Sequence, residues 1–177
     1  MQLKKIMPTL IVLVVSLLVL FGGNILYQNF HLEQPVEKAV NQIQGIQFKN
    51  MSYDRQKVEL TINVKQVNNF ADTYHQVQDK IQPLVGGRQL QLHFNNSQDQ
   101  QLLHAWNQAY FDIAQAMDKQ EYSIIPKVVE KIKSQSQLKK VGYGMDEKNV
   151  YIDLHDKENS LYFVIPRNNN QEVKNLG

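Results

Sequence analysis

From Ile6 to Leu26 the chain carries no charged side chain, and this run constrains the fold more than any other feature. As a helix rising ~1.5 Å per residue it would extend roughly 31 Å, the thickness of a bilayer's hydrocarbon core. The run is therefore expected to form a transmembrane anchor helix, with Ile6, Leu10, Val14, Leu18, Phe21 and Leu26 as anchor residues. Pro8 falls in the first turn, where its missing N–H is not needed, and Thr9 and Ser16 can bond back to their own helix. A cleaved signal peptide begins in a similar way. Cleavage after Gly22 or Gly23, however, would put Leu20 or Phe21 where a small residue is required, so the segment reads as an uncleaved signal-anchor. Lys4 and Lys5 precede the run and no Lys or Arg lies between Ile6 and Val36. That asymmetry predicts a single-pass cell-membrane protein with its N-terminus in the cytoplasm and its C-terminal domain outside.

Roughly 147 residues remain from His31 onward, the size of one compact domain. The whole chain holds 19 Lys and Arg against 17 Asp and Glu. Two of the basic residues are Lys4 and Lys5, so the remainder is charge-balanced. With no basic stripe to hold a phosphate backbone, nucleic acid is excluded as a partner. Cysteine is absent, which rules out disulfides, thiolate metal sites and thiol catalysis together. Stability has to come from packing.

Apolar periodicity orders the rest. Val36, Ala39, Val40 and Ile43 after Pro35 predict a short helix stopped by Gly45. Ile46 and Phe48, then Met51 and Tyr53, alternate but change phase at Asn50, predicting a bulged strand. Val58, Leu60, Ile62 and Val64 complete a hairpin across a turn at Asp54 to Lys57. Phe70, Tyr74, Val77, Ile81 and Leu84 predict a second helix, closed by Pro83 and Gly86-Gly87, before a strand at Leu90, Leu92 and Phe94. That connection is long enough for a parallel crossover.

Ser97 to Gln100 reads as a capping box opening a long helix whose face holds Leu102, Leu103, Trp106, Tyr110, Ile113, Ala114 and Met117. Ile125, Val128, Val129 and Ile132 predict another helix, with Pro126 in its first turn. Three strands follow, at Val141 to Met145, Val150 to Leu154 and Leu161 to Ile165. A loop at Asp156 to Asn159 pairs Leu154 with Leu161, Ile152 with Phe163 and Val150 with Ile165 on one face. An internal echo accompanies this order. Val36-Glu37-Lys38 before Tyr53-Asp54 and the Val58/Leu60/Ile62 strand matches Val129-Glu130-Lys131 before Met145-Asp146 and the Val150/Ile152/Leu154 strand.

Three places hold candidate chemistry. Asp72, His75 and Asp79 share a helix face, as metal ligands or as ordinary solvated side chains. Asp153 and His155 share a strand face, as the start of a general base or as the polar side of a hairpin. His93 and His104 are expected to point to solvent. No nucleophile motif or zinc-hydrolase motif accompanies them, so no catalytic, metal or cofactor-binding residue is assigned and no cofactor is expected. Tyr151, Tyr162 and Val164 lie on the face of the last hairpin opposite Ile152 and Phe163. Either the long helix covers them or they form an interaction surface.

The expected fold is α+β: a single N-terminal transmembrane helix, then a small domain with helices packed on a mainly antiparallel sheet of about six strands. Residues 1–30 form the stub and anchor, 31–166 the extracytoplasmic domain with lobes at 35–95 and 97–166, and 167–177 a flexible tail. The expected function is that of a bacterial membrane-anchored, non-enzymatic protein-interaction or assembly module of the cell envelope. Its partners would be the lipid bilayer and another envelope protein or itself. The alternative is an envelope hydrolase, or a small-ligand or metal sensor, using the His/Asp pairs.

Overall fold

The computed structural model describes residues 12–17, 32–65 and 67–167. Helix α1 (Gln34–Asn41) starts with Pro35 in its first turn and buries Val36 and Val40. Gly45, at φ 80°, takes the left-handed backbone that turns the chain into a strand. Strand β1 (Ile46–Tyr53) pairs antiparallel with β2 (Lys57–Val64), and its register shifts between Phe48 and Asn50 where the alternation changes phase. Helix α2 (Phe70–Ile81) is capped by Asn69, whose side chain accepts from the Asp72 N–H. A 3-10 turn at Gln82–Val85 ends at Gly86, φ 63°. Strand β3 (Gln89–Phe94) then lies parallel to β2, as the crossover length predicts.

In the second half, α3 (Gln100–Asp118) buries Leu102, Ala105, Trp106, Ala109, Ile113, Ala116 and Met117. Its cap is Asp99, which accepts from the Leu102 N–H at 3.0 Å, while Ser97 Oγ accepts from the Asp99 N–H. The helix therefore opens two residues later than a Ser97 capping box would place it. Helix α4 (Ile125–Gln135) leads into β4 (Lys140–Met145), β5 (Asn149–Asp156) and β6 (Asn159–Pro166). The last hairpin has the expected register, Leu154 with Leu161, Ile152 with Phe163 and Val150 with Ile165. Its loop is shorter than expected, because Asp156 and Asn159 are themselves paired and Lys157, at φ 42°, makes the turn.

The strands do not form one sheet. They form two of three strands each, ordered β1-β2-β3 and β4-β5-β6, the first mixed and the second antiparallel. The expected six-stranded sheet is corrected here, and the reason is local. The outer edge of β6 is occupied by the linker, where Asn96 bonds the Tyr162 N–H and carbonyl and the Ser97 N–H reaches the Ser160 carbonyl. The linker thus takes the outer pairing positions of Ser160 and Tyr162.

The membrane-spanning helix of the expected fold is corrected as well: among the described residues no helix is long and apolar enough to cross a membrane. Residues 12–17 are helical, a length of about 9 Å. Of the anchor positions only Val14 belongs to that stretch. Ile6, Leu10, Leu18, Phe21 and Leu26 lie outside the described residues, as does the expected tail except for Arg167.

The two αββ units share a turn. Asp54 Oδ1 accepts from the N–H groups of Gln56 and Lys57, and Asp146 Oδ1 accepts from those of Lys148 and Asn149. The backbone closes alike in both, Asp54 N–H to Lys57 carbonyl and Asp146 N–H to Asn149 carbonyl, each at 3.0 Å. An Asp at this position supplies an acceptor that mimics a backbone turn, so the echo in sequence marks a repeated device.

Candidate functional site

Sheet β4-β5-β6 is buried on both faces of its central strand. On one face Val150, Ile152, Leu154 and Leu161 join the core formed with α3 and α4, where the Trp106 and Phe163 rings stack at 3.6 Å. The long helix thus covers the Ile152 face. The opposite face, with Tyr151, Tyr162 and Val164, packs on the first half. Tyr151 and Tyr162 are 1 % and 3 % exposed and lie among Phe70, Tyr74 and Phe94, the Phe70–Tyr162 centroids 4.8 Å apart and the Tyr74–Tyr151 centroids 5.3 Å apart. Tyr151 and Tyr162, expected either beneath the long helix or as part of an interaction surface, form a joint with the first half instead. Periodicity finds such a face but gives no address for what covers it.

Two polar arrays border this aromatic joint. At one end the Tyr151 hydroxyl donates to Asp146 Oδ2 at 2.6 Å, and Asn149 Nδ2 donates to the Tyr151 oxygen at 3.2 Å. His75 Nε2 lies 2.9 Å from Asp146 Oδ2. His75 therefore turns to Asp146, leaving Asp72 and Asp79 exposed. Among the described residues no three His, Asp or Glu side chains converge as metal ligands would. Burial on its own pulls the Asp146 carboxyl up, but the Tyr151 hydroxyl, the two turn N–H groups and nearby His75 outweigh it and hold it below the usual value. Burial, reinforced by donation to Asp146, pushes the Tyr151 phenol far above the ordinary range.

The other array lies along the β5–β6 hairpin. His155 Nε2 is 2.5 Å from Asp153 Oδ2, and His155 Nδ1 is 2.8 Å from Ser160 Oγ. Asp153 and His155 are buried at 6 % and 8 % exposure. Expected as the start of a general base or as the polar side of a hairpin, the pair is buried. A Ser-His-Asp chain is the arrangement that activates a hydroxyl nucleophile. Such catalysis also requires a cleft beside the hydroxyl and donors for an oxyanion. Two surface depressions, one at Asn41, Gly45, Phe48 and Lys65 and one at Gln101, His104, Gln108 and Gln135, are open to solvent and touch none of the three residues.

Gly142 stands opposite Asp153. A Cβ there would come within 2.6 Å of the Asp153 Cγ, so the glycine makes room for the buried carboxylate. Ser160 escaped attention in the sequence because it sits beside a turn. Its signal was the hairpin register, which places it opposite His155.

Of the remaining histidines, His104 is exposed and bonds Gln108 within α3. His93 is half-buried, opposite Thr61.

The outer edge of β4 is a third feature. Val141, Tyr143 and Met145 pair with Leu154, Ile152 and Val150 and share their face, yet Tyr143 and Met145 are 48 % and 54 % exposed. Among the described residues no strand pairs with that edge. Gly142 and Gly144, which alternate with the apolar row, were the sequence signal of a strand approached closely on one face. No protein-family model, curated protein or solved structure matches this chain.

Proposed function

We propose that this chain is a non-enzymatic protein-interaction or assembly module of the cell envelope, and that it meets its partner along the outer edge of β4. The supporting observation is the exposure of Tyr143 and Met145 on a strand edge with which no strand pairs among the described residues. Edge strands present free N–H and C=O groups and template pairing with another chain unless they are blunted. Other edges are blunted. β1 carries a bulge near Asn50 and an exposed Lys49, β6 is closed by Asn96 and Ser97, and β3 exposes no large apolar side chain. β4 has no register shift and no proline, and its one charged residue, exposed Lys140, stands at its first position.

The placement outside the cytoplasmic membrane rests on the sequence alone. Lys4 and Lys5 precede the uncharged run from Ile6 to Leu26, the charge order that favours a C-terminal part outside the cytoplasm. Protease added to intact cells is expected to digest the domain while a cytoplasmic control survives. Short-arm crosslinking in the same cells is expected to trap the chain in a discrete adduct with itself or another envelope protein. Recovery of the uncrosslinked chain alone would contradict the proposal.

A second reading, hydrolysis by Ser160 with His155 and Asp153, is favoured by the hydrogen-bonded array on the β5–β6 hairpin. A fluorophosphonate probe separates the two. The interaction reading expects no labelling, whereas labelling abolished by Ser160→Ala would favour the hydrolase.

A further inference from the structure

We infer that His75, Asp146 and Tyr151 form a binding site for ferric iron, with the Tyr151 oxygen as a phenolate ligand. The site is separate from the β4 contact and does not depend on it.

Three donor atoms, from α2, the β4–β5 turn and β5, meet at one point. Asp146 Oδ2 is 2.6 Å from the Tyr151 oxygen and 2.9 Å from His75 Nε2, and the Tyr151 oxygen is 3.4 Å from His75 Nε2. Hydrogen bonding accounts well for the two short separations. The third exceeds the usual hydrogen-bond range, so proton sharing alone leaves one edge of the triangle slack. Coordination accounts for all three. Ligands about 2.1 Å from an octahedral cation stand roughly 3.0 Å from their neighbours, and the observed separations bracket that value.

Contacts outside the triangle hold each ligand in place. Asp146 Oδ1 accepts from the N–H groups of Lys148 and Asn149, both at 2.6 Å, which fixes the carboxylate and leaves Oδ2 to the site. The Tyr151 ring is 1 % exposed and sits against Phe70, Tyr74 and His75, with centroids 6.1, 5.3 and 5.6 Å away. Asn149 Nδ2 donates to the Tyr151 oxygen at 3.2 Å, a contact that favours negative charge on that atom. Supporting bonds of this kind orient the ligands of metal sites. The side chains of His75 and Asp146 are 44 % and 28 % exposed, so the triangle opens to solvent on one side. That opening gives an ion its way in and leaves its remaining positions to water.

The donor set selects the metal. Phenolate, carboxylate and imidazole offer oxygen and nitrogen and no sulfur, a set suited to a hard, highly charged ion. Burial, reinforced by donation to Asp146, keeps Tyr151 protonated in the free protein, and a cation in contact with the oxygen reverses that preference. On binding, the iron–oxygen bond forms as the phenol O–H bond breaks, the proton leaves to water, and the iron stays in its ferric state. The ligands come from both halves of the chain, so the bound ion ties α2 to the β4–β5 hairpin at the border of the aromatic joint.

The purified full chain, stripped of metal, is titrated with ferric nitrilotriacetate. A visible charge-transfer band from phenolate to iron is expected to grow until one iron is bound per chain. Tyr151→Phe keeps the ring that packs the joint and is expected to lose the band. His75→Gln is expected to weaken binding about tenfold or more, and Tyr143→Phe, at an exposed tyrosine, to leave it unchanged. Urea unfolding without iron shows that each variant is folded. With iron, the midpoint of the native chain is expected to rise and that of Tyr151→Phe to stay where it was. No band at one equivalent of iron, a band that survives Tyr151→Phe, or unchanged affinity in His75→Gln would overturn the site. So would an iron-dependent rise in midpoint as large in Tyr151→Phe as in the native chain.

Discussion

His75 Nε2 lies 2.9 Å from Asp146 Oδ2, joining helix α2 of the first half to the hairpin turn between β4 and β5. The same carboxylate accepts the Tyr151 hydroxyl and two turn N–H groups. One side chain thus fixes a turn, satisfies a buried phenol and ties two layers together. Asp146→Ala removes all of these at once and is expected to lower stability by about 1.5–3 kcal/mol, the range for hydrogen bonds to a charged group, in urea unfolding at neutral pH.

Acid should reveal the same carboxylate. Its folded pKa lies below the ordinary value of 3.8, so its contribution is complete above the unfolded pKa and is lost as pH falls through the folded one. Urea midpoints of the native chain are expected to fall on acidification below about pH 4, and those of Asp146→Asn to fall less. Parallel curves for the two proteins would remove Asp146 from the account.

Alkali acts on the aromatic joint. Burial raises the phenols of Tyr74, Tyr151 and Tyr162 above their ordinary 10.0. A group whose folded pKa is raised gives stability that is complete below the unfolded value and declines as pH rises past it. Ultraviolet titration is expected to show these phenolates appearing late and together with unfolding. In Tyr151→Phe, one fewer phenol should titrate late.

Gly142→Ala tests the buried carboxylate from the opposite strand. The added methyl overlaps the Asp153 side chain, which is already bonded to His155, and overpacking of this kind costs about 1–3 kcal/mol. Combining it with Asp153→Ala should relieve part of that loss. Additive unfolding free energies in the double-mutant cycle would show that the contact carries no energy.

The elements were legible because each carries its own period. The bulge near Asn50, the parallel crossover from β2 to β3 and the last hairpin's register all follow from local alternation and turn residues. What local pattern lacks is an address. Tyr151, Asp153 and His155 alternate with Ile152 and Leu154, so the sequence reads one face as core and leaves the cover of the other open. Both are buried, because Phe70 and Tyr74 of a helix some eighty residues earlier cover the second. The division into two sheets is invisible for the same reason, since it depends on Asn96 and Ser97 bonding across to β6. Conversely, Tyr143 and Met145 share the apolar face of Ile152 and Val150 and emerge exposed. A sequence period assigns a face without telling how far along the strand the helices reach.

The account stands most directly on the β4 edge as the place of contact. A photoreactive residue replacing Tyr143 in the full chain, activated in intact cells, is expected to give a protein adduct. Adding Met145→Lys, a charge set into the unpaired edge, should abolish that adduct while the urea midpoint stays within about 0.5 kcal/mol of the parent. An adduct that persists at full yield beside Met145→Lys, or one that forms from Phe111 and never from Tyr143, would contradict it.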